Sequence, residues 1–223
     1  MEQLEPKRDA DRTIQSILDA AESEFAIRGF SGSRVDVIAA SAGVNKATIY
    51  YHIGNKQKLY LAVIQRLIRG LTDQLVDEIQ AAPDPKRQLS IYIRSVVAGL
   101  TSRENLAPIL LREFASGARS FPEELGDDLA RLYGIVAGIL ERGQRAGVFV
   151  SGSPFVVHFM VMGFSLMFRM TEPVRSHIPR LKKLFAEVGS PDPEVILSEL
   201  EERIFRSVCV EIDTADYRAG GQV

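Results

Sequence analysis

The chain of 223 residues predicts an all-helical protein, and three observations carry that expectation. Apolar residues recur at three- and four-residue spacing along almost every longer segment, the period of one helix face. Helix N-cap residues, among them Asn45, Asn55, Asp84 and Asp192, stand directly before those segments, and Gly or Pro closes them. The alternation of apolar and polar residues that marks a half-buried strand is nearly missing. About nine helices are expected, divided between a small N-terminal unit at 1–55 and a larger helical domain at 56–223.

The first helix is placed at about 11–28, with Ile14, Ile17, Leu18, Ala21 and Phe25 on one face and Gly29 as its stop. Ser33 reads as the next N-cap, with Asp36 three residues on completing a capping arrangement, and Val35, Ile38, Ala39 and Ala42 follow at helical spacing. Gly43 accommodates the left-handed conformation that ends this short helix, and Val44 fills the corner. Asn45 caps a further helix, which presents Lys46, Ala47, Thr48, Tyr50, Tyr51 and His52 outward and Ile49 inward. Two short helices joined by a glycine turn form the helix-turn-helix unit, whose second helix lies in the major groove of DNA. The same turn also occurs in helical proteins that never touch nucleic acid. Local charge favours the first reading: from 28 to 58 there are five basic residues and one acid, whereas 192–213 holds seven acids and two arginines, in a chain of net charge −2.

Asn55 caps the helix that opens at Lys56, where a cation beside free backbone N–H groups suits a phosphate oxygen. Its residues Leu59, Val63, Leu67, Leu71, Leu75 and Ile79 repeat every four positions as far as Pro83, a span of roughly 40 Å at about 1.5 Å per residue. Gly70 in its middle marks a bend or a close approach. Asp84 and Pro85 open the next helix, Pro108 sits in the first turn of another, and Phe121, Pro122, Glu123 and Glu124 begin a long one that closes near Gly147. Ser153 and Pro154 start an apolar helix to Met170; a short helix is placed at 180–188. Asp192, Pro193 and Glu194 start the last, with the stripe Ile196, Leu197, Leu200, Ile204, Phe205, Val208 and Ile212. The final ten residues read as a frayed tail.

The run Phe25, Gly29, Phe30; Ile38, Ala39, Ala42, Gly43, Val44; Thr48, Ile49, Tyr50, Tyr51, His52; Asn55, Lys56, Leu59 resembles the DNA-binding domain of the TetR family of transcriptional regulators. The match covers the first quarter to third of the chain, with residue type and spacing kept together at a dozen positions. Ile53 departs from the Phe more usual there, and Asp36 and Val37 depart from a polar residue followed by an acid. Asp36 is read as a capping acid or as an acceptor for a cytosine amino group.

The resemblance implies a homodimer on a palindromic double-stranded operator, released by a small-molecule effector, with repression the expected direction. The DNA-contact set is then Ser33, Arg34, Asn45, Lys46, Ala47, Thr48, Tyr50, Tyr51, His52 and Lys56. Two-fold pairing also follows from the short reach of one such unit. The last helix and the 154–170 helix, which holds Gly163, are expected to form a four-helix bundle with their copies through Phe159, Gly163, Leu200, Ile204 and Val208; both also suit intramolecular core. The Met- and Phe-rich 154–170 segment equally suits core or an apolar pocket, with Arg112, Phe114, His158, Met162 and Met167 as ligand-contacting residues and Glu113 and Arg169 as further polar candidates.

No catalytic, metal or cofactor set is expected. His52, His158, His177 and the single Cys209 share no ligand spacing, and no phosphate loop or nucleophile motif is present. The polar N-terminus and the lone cysteine suit a cytoplasmic protein, and 155–170 is shorter than the ~20 residues a membrane span requires. The basic group Arg175, Arg180, Lys182 and Lys183 reads as a solvated linker surface or an extra anion contact. A rival reading is a helical sensor or adaptor whose N-terminal unit binds another protein.

Overall fold

A computed structural model describes residues 5–187 and 192–210. Eleven α-helices and one 3-10 turn occur among them, more than the nine expected: α1 (Glu5–Gly32), α2 (Val35–Ser41), α3 (Lys46–His52), α4 (Lys56–Ala81), α5 (Pro85–Ser102), α6 (Leu106–Ala115), α7 (Gly126–Arg145), α8 (Pro154–Met170), α9 (Glu172–His177), α10 (Pro179–Glu187) and α11 (Pro193–Val208). The 3-10 turn, Glu123–Leu125, precedes α7, so the long helix starts at Gly126 and not at Pro122. Helix α9 has no buried residue and therefore no apolar stripe by which it announces itself. Ile212, the last member of the expected stripe, Val188 of the expected short helix and the expected frayed tail lie outside the described residues.

Four caps behave as their side chains dictate. Asn45, Asn55, Asp84 and Asp192 each accept a hydrogen bond from a backbone N–H in the first turn of the helix that follows. Helix α1 starts earlier than expected, at Glu5, and breaks at Gly29, whose φ of 67° ends the regular run where the sequence placed its stop.

Helix α5 is the buried axis of the molecule, packed by α4, α7, α8 and α11. Its Leu89, Tyr92, Ile93, Val96 and Leu100 are fully buried, each aliphatic side chain stabilising the fold by roughly 1.5–3 kcal/mol. The approach to α4 is close: a Cβ on Gly99 would stand 2.4 Å from Leu71 Cδ1. Gly70 is exposed, and a Cβ there would stand 3.1 Å from the Arg103 guanidinium.

Helix α4 reaches from the N-terminal unit into the larger domain, packing on α1 at one end and on α5 and α7 beyond it. Polar ties reinforce the joint. Arg66 bonds Asp19 and Glu22 of α1, and Arg69 bonds Asp128 of α7 at 2.8 Å. Arg69 holds the Asp128 carboxyl below the usual carboxylate range. Helix α11 lies on α5 and α8, and a short antiparallel bridge between Phe149 and Cys209 pins its end to the loop after α7. Cys209 is thus a free, half-buried thiol.

Candidate nucleic-acid interface and core cavity

The turn between α2 and α3 is built from backbone hydrogen bonds. Val44 N donates to Ala39 O at 3.0 Å and Gly43 N to Ala40 O at 3.2 Å, the paired pattern that closes a helix when a left-handed residue follows it; Gly43 has φ 69°. Beneath the turn, Val35, Ile38, Ala39 and Ile49 are buried against Ile17, Ala21 and Phe25 of α1. With Ile49 at 1% exposure anchoring the inner side of α3, the rest of that helix points away from the core.

The outward side carries Lys46, Ala47, Tyr50 and Tyr51, all exposed, with Thr48 and His52 half-exposed. Tyr51, at 85%, is the most exposed aromatic residue among those described. Asn45 Oδ1 accepts from Thr48 N and from Thr48 Oγ1, at 2.8 and 3.0 Å, which fixes both the helix start and the Thr48 rotamer. Lys46 Nζ lies 5.9 Å from the Tyr50 ring centre, and the Tyr51 and His52 rings meet edge to face at 5.0 Å.

Three expectations around α2 need correction. Ser33 is not the cap: Arg34 occupies that position, and Ser33 Oγ donates back to Phe30 O at 2.8 Å. The capping acid is Glu24 of α1, whose carboxylate accepts from Arg34 N at 3.3 Å. Asp36 turns outward to Arg34 at 2.5 Å, and this hydrogen bond lowers its pKa. Ser33 is also buried, so its side chain is withdrawn from the surface expected to meet DNA. Lys56 is similarly engaged: Nζ donates to Ser33 O at 2.7 Å and lies 4.8 Å above the Phe30 ring, and burial lowers its pKa. Lys58 is exposed one turn from the α4 start, with no ion pair among the described residues. The sequence reading counted Lys58 in the local charge without giving it a role.

A second feature lies in the larger domain, where α4, α5, α6, α7 and α8 surround an apolar cavity of about 630 Å³ that opens to solvent beside Phe114, Phe155, Phe159 and Met167. Phe114, His158, Met162 and Met167 line it, and so do Phe159 and Gly163, which the sequence assigned to pairing. Arg112 does not reach it. That side chain turns to α1, donating from Nε to Ala26 O at 3.1 Å and from Nη2 to Ile27 O at 2.8 Å, because the carbonyls of a helix's last turn lack donors within the helix. Glu113 is absent from the lining too; it is buried and accepts from the Tyr60 hydroxyl. Arg169 likewise lies outside the lining.

The expected pairing surface divides. Leu200, Ile204 and Val208 are at most 8% exposed and face α5 and α8, so they belong to the core of one chain; an apolar stripe does not say which partner covers it. On α8, by contrast, Phe155, Val156, Phe159, Met167 and Met170 are exposed and follow one face together with the half-exposed Gly163. Arg175, from the basic group, stacks on Phe168 and donates to the Phe168 carbonyl, a structural position. Among the described residues no cluster of His, Cys, Asp and Glu has the arrangement of a metal site, and no helix is long and apolar enough to cross a membrane.

Residues 17–63 match the family model for bacterial regulatory proteins of the tetR family, a segment from α1 through the first turns of α4. The HTH-type transcriptional repressor NicS of Pseudomonas putida is 28% identical over 149 residues, covering 63% of this chain and 67% of NicS. The HTH-type transcriptional repressor SCO4008 of Streptomyces coelicolor is 36% identical over 96 residues, and the alignment spans only half of that relative. The HTH-type transcriptional regulator RutR of Escherichia coli is 28% identical over 141 residues, covering 60% of this chain and 65% of RutR. The fold is shared with solved structures. FadR from Bacillus subtilis, solved in complex with stearoyl-CoA, superposes with a TM-score of 0.67 at 20% identity, covering 86% of this chain and 98% of FadR. The ketosteroid regulator KstR2 of Mycobacterium tuberculosis gives 0.65 at 17% identity, covering 89% of this chain and 95% of KstR2.

Proposed function

We propose that the chain is a helix-turn-helix transcriptional regulator of the TetR family, whose N-terminal model it matches over 17–63, and that it acts as a dimeric repressor released from a palindromic operator by a small, largely apolar effector. The observation that carries this reading is the pairing of an outward recognition helix with an apolar cavity, joined by one helix. Helix α4 starts beside α3 and lends Ile68 and Leu71 to the cavity wall.

In this reading Lys46, Ala47, Thr48 and Tyr50 approach base edges and thymine methyl groups, while Arg34, Tyr51, His52 and Lys58 meet phosphates. Arg34 exchanges Asp36 for a phosphate oxygen on binding. Lys56 ties the start of α4 to the turn before α2, and Asn45 caps α3. The outward apolar face of α8 pairs with its copy, setting the two recognition helices about 34 Å apart on one side of the duplex. The two units divide near residue 55, with α4 shared in function between them.

The effector occupies the cavity and shifts α4 and α6 against α1, changing the separation of the recognition helices. Its leverage equals its preference for the released state over the bound one. Selection of random duplexes by the purified protein, followed by binding of the enriched sequence across a salt series, tests the reading. An inverted repeat with steep salt dependence is the expected result. A protein that enriches no sequence and binds duplex DNA without salt dependence would instead fit the adaptor reading.

A further inference from the structure

The cavity lining is almost wholly apolar, and no Asp, Glu, Lys or Arg belongs to it. His158 and Tyr133 are the two polar side chains that line it, and Tyr133 lies half out in solvent at the rim. The protonation of His158 therefore decides what polar group the interior offers.

Tyr92 settles that protonation. Its hydroxyl lies 2.7 Å from His158 Nδ1, on a side chain that is fully buried in α5. The hydroxyl has no second partner among the described residues. Were it only to accept from Nδ1–H, its own hydrogen would be buried without an acceptor, the more costly of the two arrangements. Donation from Tyr92 to Nδ1 satisfies the phenol, and the ring proton then resides on Nε2. Burial lowers the His158 pKa and keeps the ring neutral. The Tyr133 ring packs against the imidazole edge to face at 5.8 Å, and Phe159 does so at 5.5 Å, so the imidazole is steadied by rings as well as by the phenol. Nε2 has no protein partner among the described residues.

The cavity thus presents one fixed N–H donor in an uncharged, apolar wall. We propose that its effector is a neutral, predominantly apolar molecule bearing a carbonyl-type acceptor oxygen, which accepts the hydrogen bond from His158 Nε2. This rests on the reading of the cavity as the effector site. A carboxylate or an ammonium group would leave water for a wall that holds no opposite charge, and a group that only donates would meet another donor.

Three matched probes test this with the full-length protein: benzophenone, diphenylmethane, in which CH₂ replaces the carbonyl, and 4-benzoylbenzoate, which adds an anion. Each competes with the neutral fluorophore N-phenyl-1-naphthylamine. The fluorophore is expected to bind, benzophenone to displace it at about one tenth the concentration of diphenylmethane, the worth of one hydrogen bond, and the carboxylate to compete worst. In Tyr92→Phe/His158→Phe both hydrogen-bonding partners become rings, so no buried polar atom is orphaned. That variant is expected to bind the fluorophore and lose the ketone preference. If it does not fold, Tyr92→Phe alone, which frees the imidazole to change tautomer, is expected to narrow the preference. Equal displacement by ketone and hydrocarbon in the unaltered protein, or preference for the carboxylate, overturns the ligand class and leaves the cavity reading standing. Absence of fluorophore binding overturns both.

Discussion

The Tyr60 hydroxyl donates to the Glu113 carboxylate at 2.7 Å inside the core, joining α4 to α6. The second oxygen of Glu113 is buried with no partner, so the tyrosine is the carboxylate's sole hydrogen bond among the described residues. Tyr60 also forms the centre of an aromatic group, meeting Phe25 edge to face at 4.8 Å and Phe30 at 5.1 Å. Tyr60→Phe is therefore expected to lower stability by about 1–3 kcal/mol, since it leaves a buried carboxylate wholly unsatisfied. Tyr60→Phe/Glu113→Met should recover most of that loss. Urea unfolding of the two single variants and the double variant reads the coupling directly; additive losses would show that the bond contributes nothing.

The DNA contacts separate by salt dependence. Lys58→Ala should weaken binding to every duplex about equally and reduce the salt slope by about one unit. Thr48→Ala and Tyr50→Ala should change discrimination between the selected operator and single-base variants, by about 1–3 kcal/mol at the contacted position, with the slope kept. Lys56→Ala should lower the melting temperature, because its ammonium holds the Ser33 carbonyl. Fluorescence anisotropy over a salt series with matched and random duplexes separates the first two outcomes, and thermal melting followed by circular dichroism reads the third.

Pairing and folding separate on α8 and α11. Val156→Glu and Met170→Glu change exposed apolar positions outside the cavity lining and should give folded monomers that bind the operator weakly. Ile204→Glu, at a fully buried position, should abolish folding. Sedimentation together with circular dichroism decides; a folded dimer from Val156→Glu and Met170→Glu combined would exclude the α8 face.

Acid should weaken the fold partly through His158. Its pKa is lowered by burial, so below the unfolded value of 6.5 the unfolded chain takes up a proton that the native ring does not. The contribution is fully present above pH 6.5 and is lost as pH falls toward the native pKa. Proton NMR should show the His158 ring titrating below 6.5, and His158→Phe/Tyr92→Phe should flatten the stability profile just below pH 6.5.

What was legible in the chain was local. Asn45, Asn55, Asp84 and Asp192 each act within three residues of themselves, so sequence alone located the helix starts they make. Ser33 and Asp36 had the same local appearance and failed, because the Ser33 hydroxyl turns back to Phe30 O, Asp36 pairs with the Arg34 side chain, and Arg34 N is met by Glu24 from ten residues upstream. Burial of Ile49 and exposure of Tyr50 and Tyr51 followed from helical period alone. The stripe of Leu200, Ile204 and Val208 was equally plain, yet an apolar stripe records that it is covered and not by what. Arg112 carried no signal at all: its partners are backbone oxygens 85 and 86 residues away.

Those backbone oxygens give the joint between the two halves an unusual tolerance. Arg112 grips Ala26 and Ile27 by atoms that every amino acid possesses, so an exchange of side chain at the exposed Ile27 leaves the grip untouched, whereas Ala26 is itself buried. What it requires is a helix end at that place, and Gly29 supplies one. Any other first helix keeps this grip only where it ends at the same place, so the glycine and the arginine form one device although 83 residues separate them in sequence.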